Sequence, residues 1–184
     1  MEIVIACGSM PFGPNTPSVK SLGGSETAAL MLAKELSKRG HFVTMFCNLP
    51  QPGAPDFVPN GSKDAENVRY IDLSFYQAYS TATEFDLLIA VRDPGLAAVP
   101  VQAKKKVLWM HDIATKRGMQ RAFDGMQHTI DEVWTVSEWH KRQVSETTGY
   151  PLDHIEAMRN GIVRYEDVER GGLKPPRSTK TLLY

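Results

Sequence analysis

The chain opens with an apolar run, Ile3–Cys7, and a second one, Phe42–Cys47, with a single Ala/Leu-rich segment between them. That segment begins at about Ser25, directly behind a glycine pair, Gly23-Gly24, and stops at Lys38-Arg39-Gly40. The stop is the usual one for a helix, a basic last turn followed by glycine, and Ser25 or Gly24 is placed to cap its start above the acidic Glu26. Two strands joined through a helix cannot form a hairpin; they lie parallel in one sheet with a right-handed crossover. The connection from strand to helix, GSMPFGPNTPSVKSLGG, exceeds the roughly 4–6 residues typical between elements, and loops of that length are functional or disordered. Paired glycines before a strong helix mark a backbone that bends sharply or approaches something closely.

The same alternation continues to the C-terminal part of the chain. Strands are predicted at Val68–Asp72, Asp86–Val91, Val107–Met110, Val133–Val136 and Ile155–Met158, with helices over Ser74–Thr83, over 119–129 and over EWHKRQVSETTG after Ser137. Such an order gives an α/β, Rossmann-like doubly wound parallel sheet. Five polar pairs then share one address. Gly8-Ser9, Arg92-Asp93, His111-Asp112, Ser137-Glu138 and Asn160-Gly161 each follow the C-terminal end of a predicted strand, the edge at which open parallel sheets bind ligands.

Composition excludes several classes. With 184 residues the chain holds one domain of good size, able to bury about 70% of its unfolded surface. Lys plus Arg and Asp plus Glu both total 21, so no net charge points to nucleic acid. Cys7 and Cys47 fall in apolar strands and read as free buried thiols. No His/Cys/Asp cluster has metal spacing. MEIVIACGSMPFG lacks the basic start and apolar length of a signal peptide, and no run reaches the ~20 apolar residues of a membrane span. A cytoplasmic setting is expected. The basic residues Lys116, Arg117 and Arg121, with Lys104 to Lys106, read as a solvated face or as a peripheral contact with a membrane surface or lipid-phosphate acceptor.

GGSETAALMLAKELSKRGHFVTMF resembles the glycine-rich loop and first helix of the retaining GT-B glycosyltransferases of family 4. VLWMHD (107–112) is similar to the strand carrying that family's His, and DEVWTVSEWHKRQVSETTGYPLDHIEAMRNGI (131–162) to its strand, Ser-start helix and closing Asn-Gly-Ile. The resemblance implies the N-terminal, acceptor-side half of a GT-B fold. That half would act with a second domain, transferring a sugar from a nucleotide-sugar donor to a glycan, lipid or other hydroxyl acceptor, without a metal or other cofactor. On this view residues 1–174 form the domain. The tail 175–184 is a linker and a truncated first strand of the second domain, and the cleft face left open would favour self-association. The isolated chain should then lack full activity.

The resemblance also assigns residues. Gly23 and Gly24 would stand near the diphosphate, where a helix N-terminus with bare backbone N–H groups suits growing negative charge. His111 would reach the transferred sugar and support charge at the anomeric centre. Asp112 is placed to orient that imidazole, to contact the acceptor or simply to cap a turn. Arg92 is either a handle for the acceptor or a structural partner of Asp93. Ser137 reads first as a helix cap and second as a hydroxyl ligand for substrate or donor. Asn160 reads as a turn opening to the interdomain hinge and a further substrate- or donor-binding candidate, and His41, His128, His140 and His154 as surface or packing. Two rivals remain at this stage, a sugar- or nucleotide-binding module without chemistry and an unrelated α/β nucleotide-sugar-modifying enzyme. The second lacks the GxGxxG fingerprint it would need.

Overall fold

A computed structural model describes residues 1–115, 123 and 128–161. The expected helix over 119–129, the basic residues Lys116, Arg117 and Arg121, and the tail from 162 onward lie outside the described residues, apart from Phe123, His128 and Thr129. Among the described residues seven strands form one sheet: β1 (Glu2–Cys7), β2 (Phe42–Cys47), β3 (Arg69–Asp72), β4 (Phe85–Val91), β5 (Ala103–Trp109), β6 (Glu132–Thr135) and β7 (Ile155–Ala157). Their spatial order is β3-β2-β1-β4-β5-β6-β7, and every pairing is parallel. The α-helices described in full are α1 (Thr16–Val19), α2 (Gly24–Lys38), α3 (Tyr76–Ala82), α4 (Pro94–Ala98) and α5 (Glu138–Thr148).

The apolar runs lack alternation because both faces of the sheet are covered. Ile3, Ile5, Cys7, Met45, Ile89 and Trp109 face α2 and pack with Ala29, Leu30 and Ala33. The intervening residues point the other way. Val4, Ala6 and Leu88 meet Tyr76 of α3, while Leu108, Val133 and Ile155 meet Val144 of α5. After β1 the chain crosses to the α2 side, and after β4 it crosses to the α4 side. The sheet therefore reverses its winding between these two adjacent strands, and a crevice opens at their C-terminal ends.

The connection 8–23 is ordered. Phe12 is fully buried, its N–H donates to Asn48 O at 2.9 Å, and Cys47 Sγ donates to its carbonyl at 3.3 Å. Farther along, Thr16 Oγ1 donates to the buried Asp56 at 2.8 Å, and Lys20 reaches the same carboxylate at 3.1 Å. These anchors deliver Gly23 to the crevice. One expectation changes, and the solvated reading of Lys104 and Lys105 stands with both side chains exposed. Gly23, extended at φ −65° and ψ 160°, is the residue that caps α2, rather than Ser25 or Gly24. Lys104, Lys105 and Lys106 belong to β5, where Lys104 pairs with Asp86 at 2.7 Å and Lys105 with Glu132 at 2.6 Å.

Ser137 does cap α5, accepting from the His140 N–H at 3.1 Å, and Gly149 ends that helix in the left-handed region at φ +73°. A Cβ at Gly149 would meet nothing within 4 Å, so a substitution there acts through backbone strain alone. Gly149→Ala should cost about 1–2 kcal/mol and lower Tm by roughly 2–8 °C. Gly149→Asn, which tolerates this conformation, should lose much less; equal losses by thermal denaturation would refute the backbone explanation.

Candidate functional site

At the crevice the N-terminus of α2 opens onto a cleft of about 400 Å³ lined by Gly23, Gly24, Glu26, Arg92, His111, Asp112 and Asn160, among others. The two glycines serve different ends. A Cβ on Gly23 would collide with Glu26 Oε2, whereas one on Gly24 would meet nothing within 4 Å. Neither glycine is there to let the helix pack closely on the sheet. Gly23 makes room for a carboxylate, and Gly24 leaves backbone open to the cleft.

Glu26 is 3% exposed. Burial on its own would raise its pKa, yet the group is held below the usual carboxylate value. Hydrogen bonds from Ser9, its own backbone N–H and Ser25, with the charge of Arg92, outweigh the desolvation. Arg92 binds three partners at once: Asp112 Oδ2 at 2.6 Å through Nε, and Ser25 Oγ at 3.2 Å and Glu26 Oε1 at 3.5 Å through Nη1. Its backbone lies at φ +64°, and the Asp93 N–H bonds back to Val91 O at 2.8 Å across it. A γ-turn centred on a non-glycine residue with positive φ is rare and strained. It aims the guanidinium across the crevice. The alternative partner Asp93 is corrected by the structure, since its carboxylate instead caps α4 by accepting from Gly95 N at 2.7 Å.

His111 follows β5 on the α2 side, its ring 4.5 Å from that of Trp109. Its Nε2 is buried without a hydrogen-bond partner. Burial pushes its pKa down and Arg92 and His140 add to this, against a smaller opposing pull from Asp112 and Glu26. The ring is thus neutral near pH 7, with one N–H and one lone pair to offer. The carboxylate of Asp112 is engaged by Arg92.

The structure brings Gly23, Gly24, Arg92, His111, Asp112 and Asn160 to one cleft, with Asn160 exposed at its rim. Ser137 stands apart, as a helix cap. A second cleft of about 300 Å³, lined by Gly8, Ser9 and Asp93, shares Arg92 and Asp112 with the first, so that ion pair stands between the two. Sequence reasoning missed two residues. Glu26 stands three positions after the capping Gly23, the spacing at which a helix's third residue folds back over its own start. His140, read as surface or packing, is 3% exposed and bonded through both ring nitrogens. Its signal was the same spacing after Ser137. Among the described residues no group of three or more His, Cys, Asp or Glu side chains could hold a metal ion, and no helix is long and apolar enough to cross a membrane.

Fold and cleft together define a Rossmann-like domain with an open cleft at the C-terminal edge of its sheet. The chain belongs to Glycosyltransferase Family 4, whose profile matches residues 22–164. The fold is similar to that of Alr3699/HepE from Anabaena in its crystal structures with UDP-glucose (TM-score 0.57, 13% identity) and with UDP and glucose (0.57, 15%). A third similar structure is the complex with UDP (0.56, 12%). Each match covers 92% of this chain and 48% of that one, so the chain spans about half the length of these structures. The expected fold, matching the N-terminal half of a GT-B enzyme, is found. A comparison with curated proteins finds no match.

Two outcomes follow from the electrostatics. His111 and His140 have folded pKa values below the ordinary 6.5, and Glu26 below 4.5. In each case the unfolded state takes up protons first on acidification, so stability is full above about pH 6.5 and falls below it. A further loss should begin below about pH 4.5 as Glu26 protonates. Urea unfolding across pH 4 to 8 checks this; a midpoint rising on acidification would contradict it. Arg92→Ala leaves the Glu26 carboxylate buried without its cation and should cost about 1–3 kcal/mol. The double variant with Glu26→Gln should recover part of that loss in the same assay.

Proposed function

We propose that this chain is the acceptor-side domain of a retaining glycosyltransferase that uses a nucleotide-activated hexose. In that reaction the bond from the anomeric carbon to the leaving phosphate oxygen breaks. The acceptor hydroxyl oxygen bonds to the same carbon and loses its proton, and the nucleoside diphosphate departs. Negative charge grows on the diphosphate while the sugar becomes oxocarbenium-like, so the protein must present donors to one and orient the other. The open backbone at Gly24, on the N-terminus of the fifteen-residue helix α2, suits the first task. The second falls to His111, a neutral imidazole able to bond a sugar hydroxyl without adding charge.

The observation that carries this reading is the unpartnered, buried Nε2 of His111 in the same cleft as that helix end. A buried ring nitrogen without a partner is costly, and a bound sugar hydroxyl would satisfy it. The UDP-glucose and UDP complexes of the similar Anabaena structure support a nucleotide-sugar donor. The acceptor is a glycan, lipid or other hydroxyl compound, reached from the side of Arg92 and Asp112. A second domain would close over the cleft and hold the nucleotide, and the reaction needs no metal.

The 184-residue chain should bind UDP-glucose weakly and transfer no sugar above background. NMR titration should move the Gly23, Gly24 and His111 signals first; perturbations confined to the outer edge at β3 would overturn the assignment. In a protein carrying both halves, His111→Ala should lower turnover by roughly 10²–10³-fold. A variant that loses stability instead, with normal turnover per folded molecule, would make His111 structural.

A further inference from the structure

The Arg92–Asp112 ion pair that divides the two clefts poses a physical problem. Its groups are 38% and 63% exposed, and an exposed pair of this kind is too weak to hold its own geometry. The main chain carrying Asp112 must be fixed by something else. His140 is buried on the facing end of α5. The Val136 N–H donates to its Nδ1 at 3.4 Å, so that nitrogen carries the lone pair. Nε2 then bears the proton and donates to the Asp112 carbonyl at 2.9 Å. One turn along the same helix face, Gln143 accepts from Ala114 N at 3.0 Å and donates to Ala114 O at 2.7 Å.

We propose that His140 is a positioning residue: its ring pins the Asp112 main chain to α5, keeping the Asp112 carboxylate on Arg92 and His111 at the cleft wall. Gln143 extends the grip to Ala114, so three consecutive residues, Asp112 to Ala114, are held at both ends by one helix. The ring does this only as the neutral Nε2–H tautomer. An imidazolium cannot accept from Val136, and the Nδ1–H tautomer can serve neither bond. The groups acting on the ring are the carbonyl and carboxylate of Asp112, with His111 coupled to it through charge. The consequence for sugar transfer rests on the glycosyltransferase reading, but the clamp itself does not.

Two variants separate the clamp from local packing. His140→Gln carries an amide N–H to about the reach of Nε2 and keeps the Asp112 bond. His140→Asn places an amide oxygen near Nδ1 and keeps only the Val136 bond. The readout is hydrogen exchange at the Arg92 Nε–H, which the Asp112 carboxylate protects. In the 184-residue chain, wild type and His140→Gln should exchange slowly, and His140→Asn at least tenfold faster. Unchanged exchange in a folded His140→Asn protein, or equal acceleration in both variants, overturns the proposal. A nitrogen-15 spectrum of wild-type His140 near pH 7 decides it even if a variant fails to fold: the Nε2–H tautomer is expected, and the Nδ1–H tautomer overturns it. UDP-glucose titration of the wild type is run alongside. Absence of binding there counts against the glycosyltransferase reading, while the Arg92 exchange still decides the role of His140.

Discussion

A buried carboxylate sets the terms for this site. Glu26 sits at the start of α2, out of water, and a lone ion there would be too costly to keep. It stays charged because donors converge on it from the chain after β1, from the helix start and from the turn after β4. Those segments are the walls of the crevice at the winding reversal. The same cation that neutralises Glu26 reaches on to Asp112 at the end of β5. One guanidinium therefore ties together three loops that the sheet merely brings near one another. The strained turn at Arg92 is explained by this demand, since an ordinary turn after Val91 would not aim the side chain across the gap.

Much of the fold was legible in the sequence, for a definite reason. Unbroken apolar runs such as Ile3–Cys7 and Leu87–Val91 are strands covered twice, and the helix from Gly24 to Lys38 has its start and stop written beside it. The short α4 was not read, because Pro94-Gly95 looks like a turn and only the Asp93 cap makes it helical. The long connection before Gly23 looked functional or disordered; its order comes from Phe12 and Asp56, contacts that no local pattern announces.

The site was legible as an address more than as a set of bonds. Strand-end position was enough to collect Arg92, His111, Asp112 and Asn160. It could not say that Arg92 binds Ser25, 67 residues earlier in the chain, or that His140 meets Asp112 across 28. Side-chain partners at such separations depend on the packed geometry. Helix-start spacing did hold a usable trace of both missed residues, because Glu26 and His140 are each third in their helices.

The charge balance shapes what the cleft can receive. Arg92 faces two carboxylates, Glu26 and Asp112, which leaves one negative charge in excess among the three. Arg92 is thus no free handle for an anionic acceptor. Glu26 also lies over the start of α2, so part of that helix end's pull on anions is already used. A diphosphate entering beside Gly24 would meet backbone N–H groups but little net positive charge from the described residues that line the cleft. In the proposed reading, the cations that neutralise it must come from a second domain facing this one. What this wall offers is dipolar: backbone at Gly24, a neutral imidazole at His111, an amide at Asn160 and hydrogen-bond acceptors on Asp112. Such a surface suits the hydroxyl groups of a neutral sugar. The two halves would then divide their tasks by charge, with the nucleotide held opposite and the sugar and its acceptor oriented here.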